Sequence, residues 1–306
     1  MIQKKIKTFT NLILHPRQMI IFLASNGFLN WLPDKPYLKL FYWGMVGKKL
    51  NLREPKGFNE KLQWLKLYFR DDAYKKLVDK YEVKSYIHDH YPEIRLINTL
   101  GIWNNAEDVD YNSLPNQFVV KCTHDSGSTI ICQRKQEFDA AKSREMLKTS
   151  LKKDMYKYGR EWVYKGISPR IIAEEYVHDD NSAELKDYKF LCFGGKVKCC
   201  FVGSDRFSEK GLHTSYFDRD WNPLPFTRHY PRRDDIPKPG KLEQMIELAE
   251  RMSKDIPFVR IDFYIINDEI YFGEYTFFPG CGFLEFNPDK WDYVLGEWLQ
   301  LPPRSN

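Results

Sequence analysis

Residues 258–277, FVRIDFYIINDEIYFGEYTF, hold two β-rich runs on either side of Asn267-Asp268. Asn and Asp tolerate the backbone angles of a tight turn, so the two runs are predicted to pair as antiparallel strands. A second hairpin is predicted where DYKFLCF and KVKCCFV flank the Gly-Gly pair at 194–195. A third is predicted from QFVVKC and IIC, which flank the polar turn HDSGST at 124–129.

The last hairpin is predicted to carry four polar side chains on one face, because alternate residues of a strand point to the same side. They are Arg260, Asp262, Glu274 and Thr276. Two carboxylates held close together repel each other unless a cation lies between them. Mg²⁺ is the expected cation, since it prefers carboxylate oxygens and completes its shell with phosphate and water. In isolation, this pattern is also typical of a surface salt-bridge cluster.

The remaining elements are predicted from the period at which apolar residues recur and from Pro and Gly. Helices are predicted over 58–70, 72–90, 137–155, 241–254 and 289–299, a strand over 170–177, and short strands and turns over 92–116. The polar stretch 204–240 is predicted to be a long loop, and loops of that length are more often functional than mere connections.

Charge is unevenly distributed along the chain. Residues 1–70 carry thirteen Lys or Arg and three Asp or Glu, a net of +10, so the rest carries −5 of the total of +5. Within 1–50 the basic residues are interspersed with apolar clusters such as MIIFL at 19–23. This pattern indicates either a helix on an anionic membrane surface or a packed helical subdomain with a basic rim.

Several classes of protein are excluded by pattern. No apolar run approaches the roughly 18 residues that a membrane span needs, and no secretory signal is recognisable. The basic residues form no known reader motif, so no nucleic-acid partner is expected. Six cysteines show no C-x-x-C spacing, which predicts reduced thiols in a cytoplasmic protein.

Other segments suggest a phosphate site. Lys121 ends the strand FVVK directly before the Gly/Ser loop 125–129, whose backbone N–H groups can close over phosphate oxygens while the lysine neutralises them. Asp187 and Lys189 share one face of the DYKF strand and add a cation beside the same site. The segment 174–177 ends a buried strand, where a free backbone edge can hydrogen-bond a purine. His124, next to the loop, is the histidine that most merits a test.

In chain order these segments resemble the ATP-grasp superfamily, and over roughly residues 35–302 they resemble its TupA-like branch, found in surface-polysaccharide gene clusters. The resembling stretches are NLREPKGFNEKLQWLKLY, LVDKYEVKSYI, LPNQFVVKCTHDSG, IIAEEYV, DYKFLCFGGKVK and VRIDFYIINDEIYFGEYTFFPGCG. The resemblance implies an α+β fold in which two α+β subdomains clasp ATP. The implied organisation is a helical basic N-terminal region (1–57), a mixed region (58–116) and an ATP-grasp region (117–302), divided into subdomains at 117–177 and 178–302.

The resemblance also implies roles for particular residues. The implied ATP-binding residues are Lys80, Lys121, Ser126, Gly127, Ser128, Glu174 and Val177; the implied catalytic residue is Arg260; the implied metal ligands are Asp262 and Glu274, with Thr276 at the third position. From their places on the predicted strands, Glu175 and Asp187 are also expected to bind ATP and Lys189 to be catalytic. Thr276 departs from the pattern, because ATP-grasp ligases usually have Asn there. One or two Mg²⁺ ions are therefore expected, with the second in doubt.

The implied activity is ATP-dependent joining of a carboxylate to an amine through an acyl phosphate. The expected partners are a small amine, such as an amino acid, and the uronic acid of a surface glycan, with contact to the inner membrane surface through residues 1–50. One alternative is a glycosyltransferase, since D-x-D occurs at Asp108-Val-Asp110 and Asp218-Arg-Asp220. Another is a kinase-like or non-catalytic ATP-binding protein of the same fold, for which Thr276 is the best argument.

Overall fold

A computed structural model of the protein describes residues 15–182, 184–205 and 211–304. Its α-helices are α1 (Pro16–Ser25), α2 (Asp34–Val46), α3 (Phe58–Tyr68), α4 (Lys75–Val78), α5 (Glu82–His90), α6 (Ala140–Leu151), α7 (Met155–Gly159), α8 (Leu242–Met252) and α9 (Lys290–Trp298). Its strands are β1 (Thr99–Trp103), β2 (Phe118–Cys122), β3 (Ile130–Cys132), β4 (Ile171–Glu175), β5 (Asp187–Phe193), β6 (Lys196–Ser204), β7 (His213–Asp218), β8 (Phe258–Ile266) and β9 (Glu269–Thr276).

Two antiparallel sheets organise these elements. The first has the order β1-β4-β2-β3 and the second the order β7-β6-β5-β8-β9. Each sheet has its own buried apolar cluster: one includes Phe118, Val120 and Leu147, and the larger one includes Phe190 and Phe263. The three hairpins predicted from the sequence are confirmed, and the architecture is α+β.

The helix predicted over 72–90 is broken in the structure. A 3-10 turn (Asp72–Tyr74) and α4 precede α5, and Asp79 between them has an extended backbone. The Asp79 carboxylate accepts hydrogen bonds from the backbone N–H groups of Tyr81 and Glu82, at 2.9 Å each. Asp is a strong helix-capping residue, so α5 starts afresh after it and Lys80 lies in the break.

The stretch 204–240 is also more structured than predicted. Its residues 213–218 form β7, which pairs with β6 at the edge of the larger sheet. Residues 206–210 of the predicted loop lie outside the described residues. The strand was missed because its neighbours are rich in Pro, Arg and Asp, which suggest loop. The chain after β7 returns to it, since Leu224 N–H donates to Tyr216 at 2.8 Å.

The described part of the basic N-terminal region contains two helices, α1 and α2, joined and followed by irregular segments. Asp34 begins α2, and Gly47, with φ +76°, ends it in the left-handed conformation that favours glycine. The first fourteen residues of the predicted membrane-surface segment lie outside the described residues. Among residues 15–182, 184–205 and 211–304, no helix combines the length and apolar character needed to cross a bilayer.

Helix α9 packs closely against the start of α3. Asn59 N–H donates to the buried Asp292 carboxylate at 2.9 Å, and Lys61 Nζ donates to the Gly296 carbonyl at 2.8 Å. A Cβ atom at position 296 would lie 2.0 Å from the Lys56 carbonyl oxygen, so only glycine fits there. The two helices therefore form one unit, although more than two hundred residues separate them in the chain.

Candidate functional site

The carboxylate pair predicted on β8 and β9 is present. Asp262 and Glu274 are directly opposite each other in the strand register, and Arg260 binds both of them. Arg260 Nε and Nη2 donate to the two oxygens of Asp262 at 2.7 Å each, and Nη2 also donates to Glu274 Oε1 at 2.6 Å. Gly273 allows this approach, because a Cβ there would lie 2.9 Å from the Asp262 carbonyl oxygen.

Strand β5 adds a lysine to this cluster. Lys189 is paired with Asp262 in the register, and its ammonium binds the carboxylates of both Asp262 and Asp187. The other oxygen of Asp187, Oδ1, is buried without a hydrogen-bond partner in the described residues. Such an atom is costly to bury unless something else satisfies it. The cluster is therefore incomplete in the protein alone.

The two central carboxyls have different pKa values because their environments differ. Burial raises the pKa of Asp262 to about 6, against the opposing influence of Arg260 and Lys189. Burial also acts to raise the pKa of Glu274, but Arg260, Lys189 and Lys80 outweigh it and bring that pKa to about 2. Glu274 is thus held ionised, and its side chain keeps 39% of its accessible surface. It is the carboxylate that a ligand can reach.

The predicted metal ligands are arranged unequally. Thr276 Oγ1 donates to Glu274 Oε1 at 3.1 Å, so these two side chains lie together at the accessible edge. Asp262 is 1% exposed and fully engaged by Arg260 and Lys189. No group of three or more His, Cys, Asp or Glu in the described part of the chain is arranged to hold a metal ion. The oxygen donors fit Mg²⁺ in kind, but Asp262 can bind it only if one of its cations moves aside.

The Gly/Ser loop lies at the end of the first sheet. Gly127, with φ +88°, has no atom within 4 Å of its Cβ position, so the tip with Ser126 is open to solvent. Ser128 instead points inward, where its hydroxyl donates to Asp125 and accepts from Cys122 N–H. Ser128 therefore holds the base of the loop, and the exposed residues of the loop are Ser126, Gly127 and Thr129.

Lys80 is tied to this loop by the helix break described above. Its backbone N–H donates to the Thr123 carbonyl at 3.0 Å, and its ammonium donates to the Asp125 carbonyl. Asp79 fixes the same junction, because it accepts from Thr123 Oγ1 at 2.8 Å and from Arg170 Nη2 at 3.2 Å. The break in the predicted helix thus positions the predicted phosphate-binding lysine.

A buried glutamate lies between two lysines in the first sheet. Glu174 accepts from Lys84 Nζ and from Lys121 Nζ, each at 2.5 Å, and its side chain is 5% exposed. Burial acts to raise the pKa of Glu174, but Lys121 and Lys84 outweigh it and the pKa falls below its ordinary value. Sequence reasoning missed Lys84, because its partner lies ninety residues away on another element.

The two sheets bring their charged groups to one place. Lys80 lies close enough to Glu274 to help lower the pKa of that carboxyl. Burial is the main cause of the lowered pKa of Lys80, and the nearby Lys121 lowers it further. Tyr164 faces the same cluster, since Glu274 contributes to its raised pKa after burial and Glu161. We call this assembly the charged site; it comprises Lys80, Lys84, Lys121, Glu174, Asp187, Lys189, Arg260, Asp262 and Glu274.

The predicted adenine-binding segment is only partly available. Strand β4 is internal, so the backbone of Glu174 is paired with Thr99 on one side and Val119 on the other. The expectation of a free backbone edge at Glu174 is therefore wrong. Glu175 ends the strand, where its backbone is paired with Phe118 and its N–H donates to the Asn98 carbonyl at 3.1 Å, so only Tyr176 and Val177 of the segment lie beyond the strand.

Comparison with models of protein families shows to which family the chain belongs. The family described as "TupA-like ATPgrasp" matches residues 60–300, which is most of the chain. The chain belongs to the TupA-like ATP-grasp family. Its two antiparallel sheets with flanking helices are accordingly an ATP-grasp fold, as the sequence resemblance implied. A search among curated proteins finds no match.

Solved structures of other ATP-grasp proteins are similar at a distance. The D-alanine–D-alanine ligase of Bacillus anthracis with ATP is 16% identical, with a TM-score of 0.38, over 65% of this chain and 53% of that one. The corresponding Helicobacter pylori enzyme is 17% identical, with a TM-score of 0.39, over 81% and 70%. The ligase PsnB with Mg and ADP is 10% identical, with a TM-score of 0.38, over 78% and 67%. The TupA-like chain spans about half the length of the first of these.

Proposed function

We propose that this protein is an ATP-dependent ligase that activates a carboxylate as an acyl phosphate and joins it to an amine. One observation carries the proposal: Lys80, in the break before α5, and Lys121 on β2 lie near Lys189, Arg260 and Glu274 of the larger sheet. A triphosphate needs several cations together with an oxygen-rich edge for its magnesium. The site supplies both, and the chain's family is one of ATP-grasp proteins.

The residues act mainly by positioning and charge neutralisation. Lys80 and Lys121 would bind phosphate oxygens beside the loop 125–129, whose open tip can close over them. Glu274 and Thr276, joined by Asp262 if Lys189 or Arg260 shifts, would hold Mg²⁺, which when bound would neutralise charge on the phosphates. Asp187 Oδ1, which lacks a partner among the described residues, would accept a hydrogen bond from a bound group.

The reaction has two steps. An oxygen of the carboxylate substrate attacks the γ-phosphorus, the bond to the β-phosphate oxygen breaks, and ADP leaves. The amine nitrogen then attacks the acyl carbon, phosphate leaves with the bonding electron pair, and the amine gives up a proton to solvent. Arg260 would donate to the oxyanion of the second step from its place between the carboxylates. No side chain needs to become a nucleophile.

The proposed substrates are the uronic acid of a surface polysaccharide and an amino acid or other small amine. This part rests on the family resemblance and on the basic N-terminal region. Within the described residues of that region, Phe28 and Trp31 are 61% and 77% exposed. Exposed aromatic residues among lysines suit contact with an anionic membrane surface, where a lipid-linked glycan would be met.

The glycosyltransferase alternative finds little support. Asp218 Oδ1 accepts from the backbone N–H groups of Asp220 and Asn222, at 2.9 and 2.8 Å, so it closes the turn after β7. In the other D-x-D segment, Asp108 accepts from Asn105 Nδ2 at 2.8 Å and Asp110 accepts from Asn112 N–H at 3.0 Å. Both segments are therefore explained as turn-stabilising carboxylates.

Hydroxylamine can test the proposal without knowledge of the natural amine. The full chain would be incubated with Mg·ATP, a hexuronic acid and hydroxylamine, and the hydroxamate and ADP would be measured. We expect hydroxamate to form only when Mg·ATP, the hexuronic acid and hydroxylamine are all present. A stable phosphorylated sugar would instead favour the kinase-like alternative, and thermal protection by a nucleotide sugar but not by ATP would favour the glycosyltransferase. ADP release that no carboxylate in a panel of uronic acids stimulates would contradict the ligase.

A further inference from the structure

A second concentration of positive charge lies outside the charged site. A cavity of about 550 Å³ is lined by five cations, with Tyr68 beside them. The cations are Lys35, Lys39, Lys49, Arg53 and Arg304. We call this the basic cavity. Its volume lies within the range of about 300–1,000 Å³ that is typical of small-molecule sites.

The five cations have no acidic partners in the described residues. Arg304 contacts the face of Tyr68, with its guanidinium carbon 4.3 Å from the ring centre. Asp34, next to Lys35, is engaged elsewhere, since its carboxylate accepts from Arg70 at 3.1 Å and from Tyr156 at 2.6 Å.

A second cavity of similar size also contains cations, but these are paired with carboxylates. It measures about 570 Å³, and each of its cations has a carboxylate from the same cavity. The pairs are Arg95 with Glu269 at 3.0 Å, Arg251 with Glu93 at 2.6 Å and Lys241 with Asp268 at 3.1 Å. That cavity is internally neutralised, whereas the basic cavity is not.

The positions of the cations in the basic cavity are fixed by the fold. Lys35 and Lys39 lie one helical turn apart on α2, an arrangement in which like charges weaken a helix. Arg53 lies in a loop that Glu60 closes by accepting from the backbone N–H groups of Asn51 at 3.0 Å and Lys56 at 2.9 Å. The side chain of Asn51 braces the same loop by accepting from Arg53 N–H at 3.1 Å. The fold thus holds uncompensated charge together.

We propose that the basic cavity binds a phosphate-bearing ligand. The five cations are exposed to solvent, and together they suit a compact ligand of several negative charges. Each phosphate supplies up to two charges and three acceptor oxygens, whereas a uronic acid supplies one charge per sugar ring. Arg can bind phosphate with two parallel hydrogen bonds and Lys binds it as a point charge. The ligand is either a soluble phosphate compound or a phospholipid headgroup. Its binding in the basic cavity does not depend on the proposed ligase reaction.

The probes are inorganic pyrophosphate, measured by calorimetry without magnesium at low salt, and vesicles of phosphatidylglycerol with phosphatidylcholine, measured by co-sedimentation. The test variant is Lys39→Gln/Lys49→Gln/Arg53→Gln. The matched control is Lys142→Gln/Lys152→Gln/Lys290→Gln, which removes three exposed cations elsewhere. Lys121→Gln serves as a second control, because it removes a cation of the charged site. Thermal unfolding of all four proteins checks that each is folded.

We expect the test variant to weaken binding at least tenfold and the matched control to weaken it less than twofold. Lys121→Gln should lose only pyrophosphate that binds in the charged site and should keep the binding that the test variant loses. Pyrophosphate binding without vesicle binding would assign the cavity to a soluble phosphate compound, and vesicle binding lost in the same variant would assign it to a lipid headgroup. The proposal fails if neither probe binds the wild type, or if the test variant matches the control. It also fails if Lys121→Gln abolishes binding while the test variant keeps it, since the phosphate would then lie in the charged site.

Discussion

Arg260 on β8 and Glu274 on β9 are joined by a hydrogen bond of 2.6 Å, although the register places Thr276, not Glu274, opposite Arg260. Thr276 donates to the same Glu274 oxygen, Oε1, and the Glu274 side chain keeps 39% of its accessible surface. The same guanidinium holds Asp262 through two further bonds of 2.7 Å. One arginine therefore fixes both carboxylates and keeps one of them ionised for a ligand.

Glu274→Gln should reduce ADP formation at least about 100-fold, because the variant loses the accessible negative charge at the charged site. Arg260 keeps its two bonds to Asp262, so the folded structure should persist. The measurement is coupled ADP release over a titration of magnesium. Glu269→Gln on the same strand is the control, since Glu269 pairs with exposed Arg95. Equal turnover in Glu274→Gln and Glu269→Gln would refute the metal assignment.

The Lys84–Glu174–Lys121 cluster predicts a non-additive set of variants. Lys121→Met should weaken ATP binding but leave the chain folded, because Lys84 still neutralises Glu174. Lys84→Met/Lys121→Met should lose about 3–5 kcal/mol of unfolding free energy, since it leaves a buried carboxylate without a partner. Adding Glu174→Leu should restore most of that loss. Urea unfolding of the three proteins measures this, and a double variant no less stable than Lys121→Met would show that Glu174 needs neither lysine.

His124 should make stability depend on pH. Burial lowers its pKa below 6.5, and its Nδ1 is buried without a partner in the described residues. Below pH 6.5 the unfolded chain binds a proton that the folded chain rejects, so the free energy of unfolding should fall as pH falls from 6.5 toward the folded pKa. In His124→Gln this slope should be flatter. Urea unfolding between pH 5.5 and 7.5 tests it, with exposed His88→Gln as the control; identical slopes in all three proteins would exclude the effect.

Lys66 should be essential for stability although it lies outside the charged site. Its buried ammonium donates to the carbonyls of Gly159 and Cys281, at 2.7 Å each, and to Gln63 Oε1 at 3.0 Å. Lys66→Met would remove the donor to the Gly159 carbonyl and to Gln63 Oε1 and leave Glu161 buried without its nearby cation, at a cost of about 3 kcal/mol or more. The Cys281 carbonyl would keep its bond from Gln63 Nε2 at 3.0 Å. The exposed Lys76→Met should change stability by less than about 0.5 kcal/mol. A Lys66→Met variant as stable as Lys76→Met in urea would show that the loop at 279–282 needs no such anchor.

Local pattern predicted the hairpins well. Turn chemistry and the two-residue period account for the register from Ile266–Glu269 to Phe263–Phe272. Asp262 lies opposite Glu274 only because the pairing shifts by one residue between Asp262 and Phe263, and the sequence pattern does not show that irregularity. The break before α5 was missed, because Asp79 caps the helix only once Thr123 and Arg170 are folded beside it. Lys84 and the basic cavity were missed for a related reason. Glu174, which Lys84 binds, and the residues that line the basic cavity come from segments far apart in the chain. The periodicity of one segment carries no information about its contacts with another.

The close contact between Gly296 and the Lys56 carbonyl has a consequence for biosynthesis. Helix α3 reaches its final packing only against α9, so it must wait until residues 290–298 have emerged from the ribosome. Until then its apolar face, including Phe58 and Leu62, has no permanent cover. While the more than two hundred residues between the two helices are synthesised, this apolar face is therefore open to chaperones and to mispairing with neighbouring chains.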